Sequence, residues 1–155
     1  MRFVAILNRE GGTLRTLDLD AFVGRARDLL AAEGHTLAVE IVAATEAVDA
    51  LAGASRDRDV DVVMPGGGDG TISAAAGALM NTDKLLAVLP AGTMNLFARS
   101  LGIPLELEAA VQAFSRGRPH AVDVATANGQ AFVHQFSIGL HPELVERREQ
   151  AEYGS

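Results

Sequence analysis

Asp59-Val60-Asp61-Val62-Val63-Met64-Pro65-Gly66-Gly67-Gly68-Asp69-Gly70-Thr71-Ile72-Ser73-Ala74-Ala75-Ala76 is the stretch that decides the fold of this 155-residue chain. It reads as a buried strand over Asp59 to Met64, a glycine loop opening at Pro65, and an alanine-rich helix from about Ile72 to Met80. Four glycines in the five positions 66–70 leave no Cβ in the way, so backbone N–H groups can approach a phosphate. The positive end of the following helix points at the same spot. A valine at Gly68 is expected to block that approach and to resist a positive φ. The Asp69 carboxylate is the odd member, because a bare negative charge inside an anion cradle is repulsive unless a metal ion or a transferable proton lies between.

Working outward, the chain alternates strands and helices. Arg2 to Asn8 reads as the first strand. Leu19, Phe22, Val23, Ala26, Leu29 and Leu30 form one helical face that Gly34 stops. A second strand follows over Thr36 to Ala43, and Thr45 is placed as the N-cap of a short helix through about Ala52. Leu85 to Leu89 is the fourth strand. It ends in Pro90-Ala91-Gly92-Thr93-Met94-Asn95 and a helix through Leu101. Pro104 is expected to start a further helix with the face Leu107, Ala110, Val111 and Phe114, closed by Gly117. The fold class is therefore α/β, a Rossmann-like parallel sheet with flanking helices. Both glycine turns then lie at the carboxyl edge of the sheet, where open α/β sheets bind ligands.

After Pro119 the pattern changes to two strands, Ala121 to Ala127 and Gln130 to Ile138, joined by the hairpin signal Asn128-Gly129. This places a domain boundary at 118/119, with an α/β domain over 1–118 and the start of a β-rich domain over 119–155. A polar helix is expected from Pro142 onward. A lone hairpin with an apolar face is marginal, so it is expected to fold back on the α/β domain or to recruit a second copy of the chain.

The net charge of -7 argues against non-specific nucleic-acid binding, which needs a basic face. With 48% apolar and 21% charged residues, the composition is that of an ordinary globular domain. The chain has no cysteine, hence no disulfide framework and no thiolate metal site, which agrees with a cytoplasmic location. Its single lysine, Lys84, lies far beyond the glycine loop and excludes a Walker A loop. The Rossmann dinucleotide fingerprint fails as well, because the loop follows the third strand and Thr71 occupies the place of the third glycine. His35, His120, His134 and His141 have no zinc spacing, and Ser137 has no nucleophile elbow around it. Glu106, Glu108 and the carboxylates from Glu143 to Glu152 read as solvated helix exteriors.

Gly67-Gly68-Asp69-Gly70-Thr71, followed by Leu89-Pro90-Ala91-Gly92-Thr93-Met94-Asn95-Leu96-Phe97-Ala98-Arg99, resembles the diacylglycerol kinase catalytic family, which includes bacterial lipid kinases and sphingosine kinases. The first block is shared with NAD kinases; the second favours the lipid-kinase branch. The resemblance runs from Asn8 to about Arg147, with Val122-Asp123 and Phe136 to Gly139 similar to the start of that family's second domain. It implies transfer of the γ-phosphoryl group of ATP, with Mg²⁺, to the hydroxyl of a lipid at a membrane surface, here the inner face. The alternatives are an NAD kinase-like enzyme and a non-catalytic nucleotide-binding fragment.

By the same resemblance Asn8, Gly11, Gly12, Thr45, Gly67, Gly68, Asp69, Gly70, Thr71, Ile72, Ser73, Thr93 and Asn95 line the nucleotide site. Asp69 is the catalytic candidate, and no protein ligand for the metal is assigned. Three departures stand out. Ser73 and Ala74 replace the family's Asn-Glu, and the missing Glu would complete a capping box with Thr71. Leu96 replaces an Asp. Family members are about twice as long, so the chain resembles an N-terminal domain, a truncated product or a gene fragment, without the acidic metal ligands and the base of the second half.

Overall fold

The computed structural model describes residues 1–133. The expected strand residues up to Ile138, the Phe136 to Gly139 match and the helix from Pro142 lie outside the described residues. Within them, β1 (Arg2–Asn8), β2 (Thr36–Val42), β3 (Val62–Gly67), β4 (Leu85–Leu86) and β5 (Leu89–Pro90) form one parallel sheet in the order β2-β1-β3-β4, with β5 also on β3. Helices α1 (Leu19–Ala31), α2 (Ala47–Arg56), α3 (Asp69–Leu79), α4 (Leu96–Ser100) and α5 (Leu107–Arg116) flank it.

Alternation along β1 shows why both faces must be covered. Phe3, Ala5 and Leu7 enter a core with Phe22, Ala26 and Leu30 of α1 and Ala110 and Val111 of α5. Ile6 enters the opposite core with Leu51 of α2 and Ala75 and Leu79 of α3. A strand buried on both sides reads as a continuous apolar run, as Phe3 to Leu7 does. The small residues of α3 bring that helix close to the sheet, with Ala75 fully buried.

Element ends depart from the sequence reading in instructive ways. β3 does not stop at Pro65 but runs through it to Gly67. The main-chain bonds from Leu85 and Ala87 N–H to the Asp61 and Val63 carbonyls show that odd-numbered residues of β3 face β4 and β5. Pro65 therefore lacks its donor on that side, opposite Ala87, and this splits a strand of constant register into β4 and β5. Thr45 is not an N-cap; it lies inside a 3₁₀ turn, Ala44–Glu46, and α2 begins only at Ala47. There Glu46 accepts from the Ala43 N–H (2.9 Å) and Glu10 from the Ala44 N–H (3.1 Å). Pro104 precedes α5 rather than starting it. Glu106, expected on a solvated face, is the N-cap, and its carboxylate accepts from the Glu108 and Ala109 N–H groups. Glu108 pairs with Arg25 of α1.

The hairpin is present as β6 (Ala125–Ala127) and β7 (Gln130–Phe132), turned by Asn128 at φ 50° and Gly129 at φ 78°. Residues 121–124 are not strand. The hairpin folds back on the α/β unit: an ideal Cβ on Gly77 of α3 would lie 3.2 Å from Ala131 Cβ, and Val133 packs on Ile72, Val88 and Phe97.

At the amino edge of the sheet, Arg2 ties β1 to the approach to β3. Its Nη2 and backbone N–H donate to Asp61 at 2.9 and 2.7 Å, and its Nη1 to Asp59 at 2.9 Å. These bonds, the Arg2 side chain first, hold the Asp61 carboxyl well below the usual carboxylate range. A depressed folded-state pKa contributes stability above the unfolded value of about 3.9, and that stability is lost as pH falls further toward the folded value. Equilibrium unfolding across that acid range should show the loss in the wild type and a flatter profile in Asp61→Asn. Identical profiles would mean that the pair contributes nothing.

Candidate functional site

Three turns leave the carboxyl ends of β1, β3 and β5, and their backbones touch. Asn8 closes β1. It is buried, its Oδ1 accepts from the Glu10 N–H (3.0 Å), and its carbonyl accepts from the Gly11 N–H (3.0 Å). This side-chain turn reverses the chain. Gly12, at φ +38°, then sits so close to the β5 turn that an ideal Cβ would lie 2.2 Å from the Ala91 carbonyl oxygen, and the Thr13 N–H donates to that oxygen at 2.9 Å. On the other side an ideal Cβ on Gly92 would lie 2.6 Å from Gly68 Cα. Glycine is what lets three main chains meet here.

The expected glycine loop is a direct strand-to-helix junction. Gly66 and Gly67 finish β3, Gly68 is the N-cap of α3, and Asp69, Gly70 and Thr71 form its first turn. Thr71 is the third helical residue and not a cap, so a Glu at position 74 could not form a capping box with it. Gly68 has φ -77°, an ordinary value, and open space where a Cβ would be, so a valine there would meet neither backbone strain nor a neighbour within the protein. No side chain caps Gly68. The first-turn N–H groups of this helix therefore face outward without a side-chain acceptor, the arrangement that attracts anions.

Asp69 has a partner that the sequence conceals. Its Oδ1 accepts from the Leu96 N–H at 3.0 Å, so the carboxylate caps α4 while standing at the positive end of α3. Asn95, in the left-handed region at φ 51°, turns its Oδ1 onto the Gly92 N–H at 2.8 Å. Asp69 ties the β3 turn to the β5 turn, and Asn95 closes the β5 turn on itself. Leu96, where the family pattern has Asp, thus takes part through its main chain.

Among the residues read as site-lining, Asn8, Gly11, Gly12, Gly67, Gly68, Asp69, Gly70, Thr71, Thr93 and Asn95 come from these three turns. Ile72 belongs to the core beneath, with Val88 and Phe97, and its N–H is used by the Gly68 carbonyl at 3.1 Å. Ser73 lies half-buried on α3. Thr45 lines a separate groove of about 680 Å³ between β2 and α2 with Glu40, Asp49 and Asp57. Another cavity, about 670 Å³, lies beside β4 and is lined by none of the three turns. Gly92 and Ala91 were absent from the sequence-derived set. Their signal was the convergence of two glycine turns on one sheet edge.

Such an arrangement defines a doubly wound α/β domain with the β1, β3 and β5 turns gathered at the carboxyl edge of its sheet. The chain belongs to the diacylglycerol kinase catalytic domain family, which matches residues 2–127. It is 44% identical over 84 residues to "Probable lipid kinase YegS-like" of Yersinia pestis (strain Pestoides F), a match covering 52% of this chain and 28% of the relative. It is 39% identical over 85 residues to "Uncharacterized protein sll0036" of Synechocystis sp., covering 55% of this chain and 20% of that protein. Its fold matches the crystal structure of a diacylglycerol kinase from Bacillus anthracis str. Sterne with a TM-score of 0.68 at 29% identity, over 84% of this chain and 49% of that one. The chain thus spans about half of that structure and less of the curated relatives.

Proposed function

We propose that this chain is the nucleotide-binding part of a lipid kinase of the diacylglycerol kinase type, acting on a lipid hydroxyl at a membrane surface on the cytoplasmic side. One observation carries the reading: an uncapped helix N-terminus, held by backbone-to-backbone glycine contacts, beside the buried Asn8, whose Nδ2 has no acceptor among the described residues. These groups fit the phosphates of ATP, which when bound supplies the phosphoryl group for transfer. The α3 first turn would hold the phosphate oxygens, with the Thr71 and Thr93 hydroxyls and Asn8 Nδ2 as further donors, so that positioning and neutralisation need no lysine. Asp69 Oδ2, which has no described partner, is the atom that would order the metal that comes with the nucleotide, or the path of the proton.

Magnesium fits less well. No group of three His, Asp or Glu residues able to hold a metal gathers among the described residues, and one oxygen of Asp69 is already used by Leu96. The metal would come with the nucleotide and take at most one carboxylate oxygen here. No helix among the described residues is long and apolar enough to cross a membrane, so the lipid would be met at the surface. We place the functional division at 118/119, with 1–118 binding the nucleotide and 119–155 opening the β-rich part.

Titrating the chain with ATP and Mg²⁺ under amide NMR should move Gly68, Gly70, Thr71 and Thr93 first. Shifts concentrated instead on Asp20 to Leu30 of α1 would reject the site. Assaying the longer protein against a lipid panel and against NAD would separate the two kinase chemistries.

A further inference from the structure

The carboxyl end of β2 lies against the β1 turn, and two carboxylates meet main chain there. Glu46 Oε2 accepts from the Ala43 N–H at 2.9 Å, a bond within its own turn, whereas Glu10 Oε2 reaches across from the β1 turn to the Ala44 N–H at 3.1 Å. At the β5 turn the same device recurs, with Asp69 on the Leu96 N–H and Asn95 on the Gly92 N–H. The first turn of α3 has no such acceptor. This sheet edge thus receives phosphate at α3 and presents carboxylate at the end of β2. Glu10 is held in place along its main chain as well. Its N–H donates to Asn8 Oδ1 at 3.0 Å, and Arg15 Nη2 donates to its carbonyl at 3.1 Å. The residue is exposed, and its Oε1 has no described partner. A carboxylate only accepts hydrogen bonds, so what this oxygen can take from a ligand is a donor.

We propose that Glu10 is a specificity-determining residue for the sugar of the nucleotide, its free oxygen accepting from the ribose hydroxyls; the inference rests on the nucleotide reading above. In-line phosphoryl transfer puts the attacking hydroxyl and the leaving diphosphate on opposite sides of the transferred group. Asp69 is tied to the β5 turn through Leu96, so an acceptor that it serves approaches from that side of α3. The diphosphate then leaves the other way, over the glycines of the β1 turn toward β2. With the order β2-β1-β3, the end of β2 lies two strand spacings, about 10 Å, from the end of β3. A diphosphate followed by its sugar fills such a span. An acidic side chain is also the usual partner of ribose hydroxyls at the carboxyl edge of a parallel sheet. The substrate class that follows is a ribonucleoside triphosphate, selected over its analogues without sugar hydroxyls.

Dissociation constants for ATP and for 2′,3′-dideoxy-ATP, each with Mg²⁺, measured on the whole 155-residue chain by amide NMR, separate this inference from the reading beneath it. The wild type should bind ATP about tenfold or more tightly, the size expected of hydrogen bonds to a charged group. Both nucleotides should move the Gly68 and Thr71 amides, and only ATP should move Ala44, whose N–H holds Glu10. Glu10→Ala should bring the two constants together by weakening ATP alone. Glu46→Gln removes the neighbouring charge but not this acceptor, and the preference should persist in it. Equal constants in the wild type with shifts at Gly68 and Thr71, as expected if the base rather than the sugar met Glu10, overturn the inference and leave the site reading standing. A preference that survives Glu10→Ala does the same. Absence of shifts at α3 with either nucleotide overturns both.

Discussion

Asp69→Asn is expected to lower turnover by about a hundredfold or more in a protein carrying this domain together with the further length its relatives have, while leaving the fold in place. The separation follows from the two carboxylate oxygens. Oδ1 caps α4 through the Leu96 N–H, and an asparagine oxygen can accept the same bond. What the substitution removes is the charge at Oδ2, and with it the ordering of a metal or of the proton path. The loss of a carboxylate at the α3 N-terminus costs only about 0.3–1 kcal/mol of stability. Asp69→Ala removes the cap too and should cost a further 0.5–2 kcal/mol or so. Steady-state rates on a diacylglycerol-containing vesicle, set beside thermal melts of both variants, distinguish the roles. Full activity in Asp69→Asn would leave the residue with a structural role only.

Gly12→Val should open the site from the other side. The position has φ +38°, and the new Cβ would meet the Ala91 oxygen and Gly92 Cα, both backbone atoms that no rotamer change can move. Relief requires the β1 turn to leave the β5 turn, breaking the Thr13 to Ala91 bond. The strain and the lost bond together should cost about 2–4 kcal/mol. ATP-induced amide shifts at Gly68 and Thr93 should disappear. Gly68→Ala is the contrasting case, since its Cβ would enter open space at an ordinary φ. Its melting temperature should stay near wild type, and any loss of ATP binding would then measure how closely the ligand approaches the backbone. Wild-type ATP binding in Gly12→Val would show that the contact between the two turns is dispensable.

Periodicity made α1 and its Gly34 stop readable, because an amphipathic helix writes its buried face at a spacing of three and four residues. The Asn128-Gly129 turn was equally readable, since few residues tolerate two successive positive φ values. Pro65 misled for a physical reason. A proline ends a strand only if its missing donor is needed, and here the neighbouring strand absorbed the loss by splitting into β4 and β5. Thr45 misled because a helix cap depends on which acceptor reaches the free N–H groups, and Glu10 and Glu46 reach that turn first.

The sequence by itself determined the α/β alternation, the parallel sheet, the two glycine turns and the family they resemble, since these are written in local spacing and residue type. Only the tertiary structure decided what those turns do to one another: that Gly12 and Gly92 let backbones touch, that Asp69 caps a helix 27 residues away, and that β2 lies at one end of the main sheet among the described residues. Contacts between residues far apart in the chain depend on strand order and register, and nothing local to Asp69, Gly92 or β2 encodes which neighbour the fold will bring beside them.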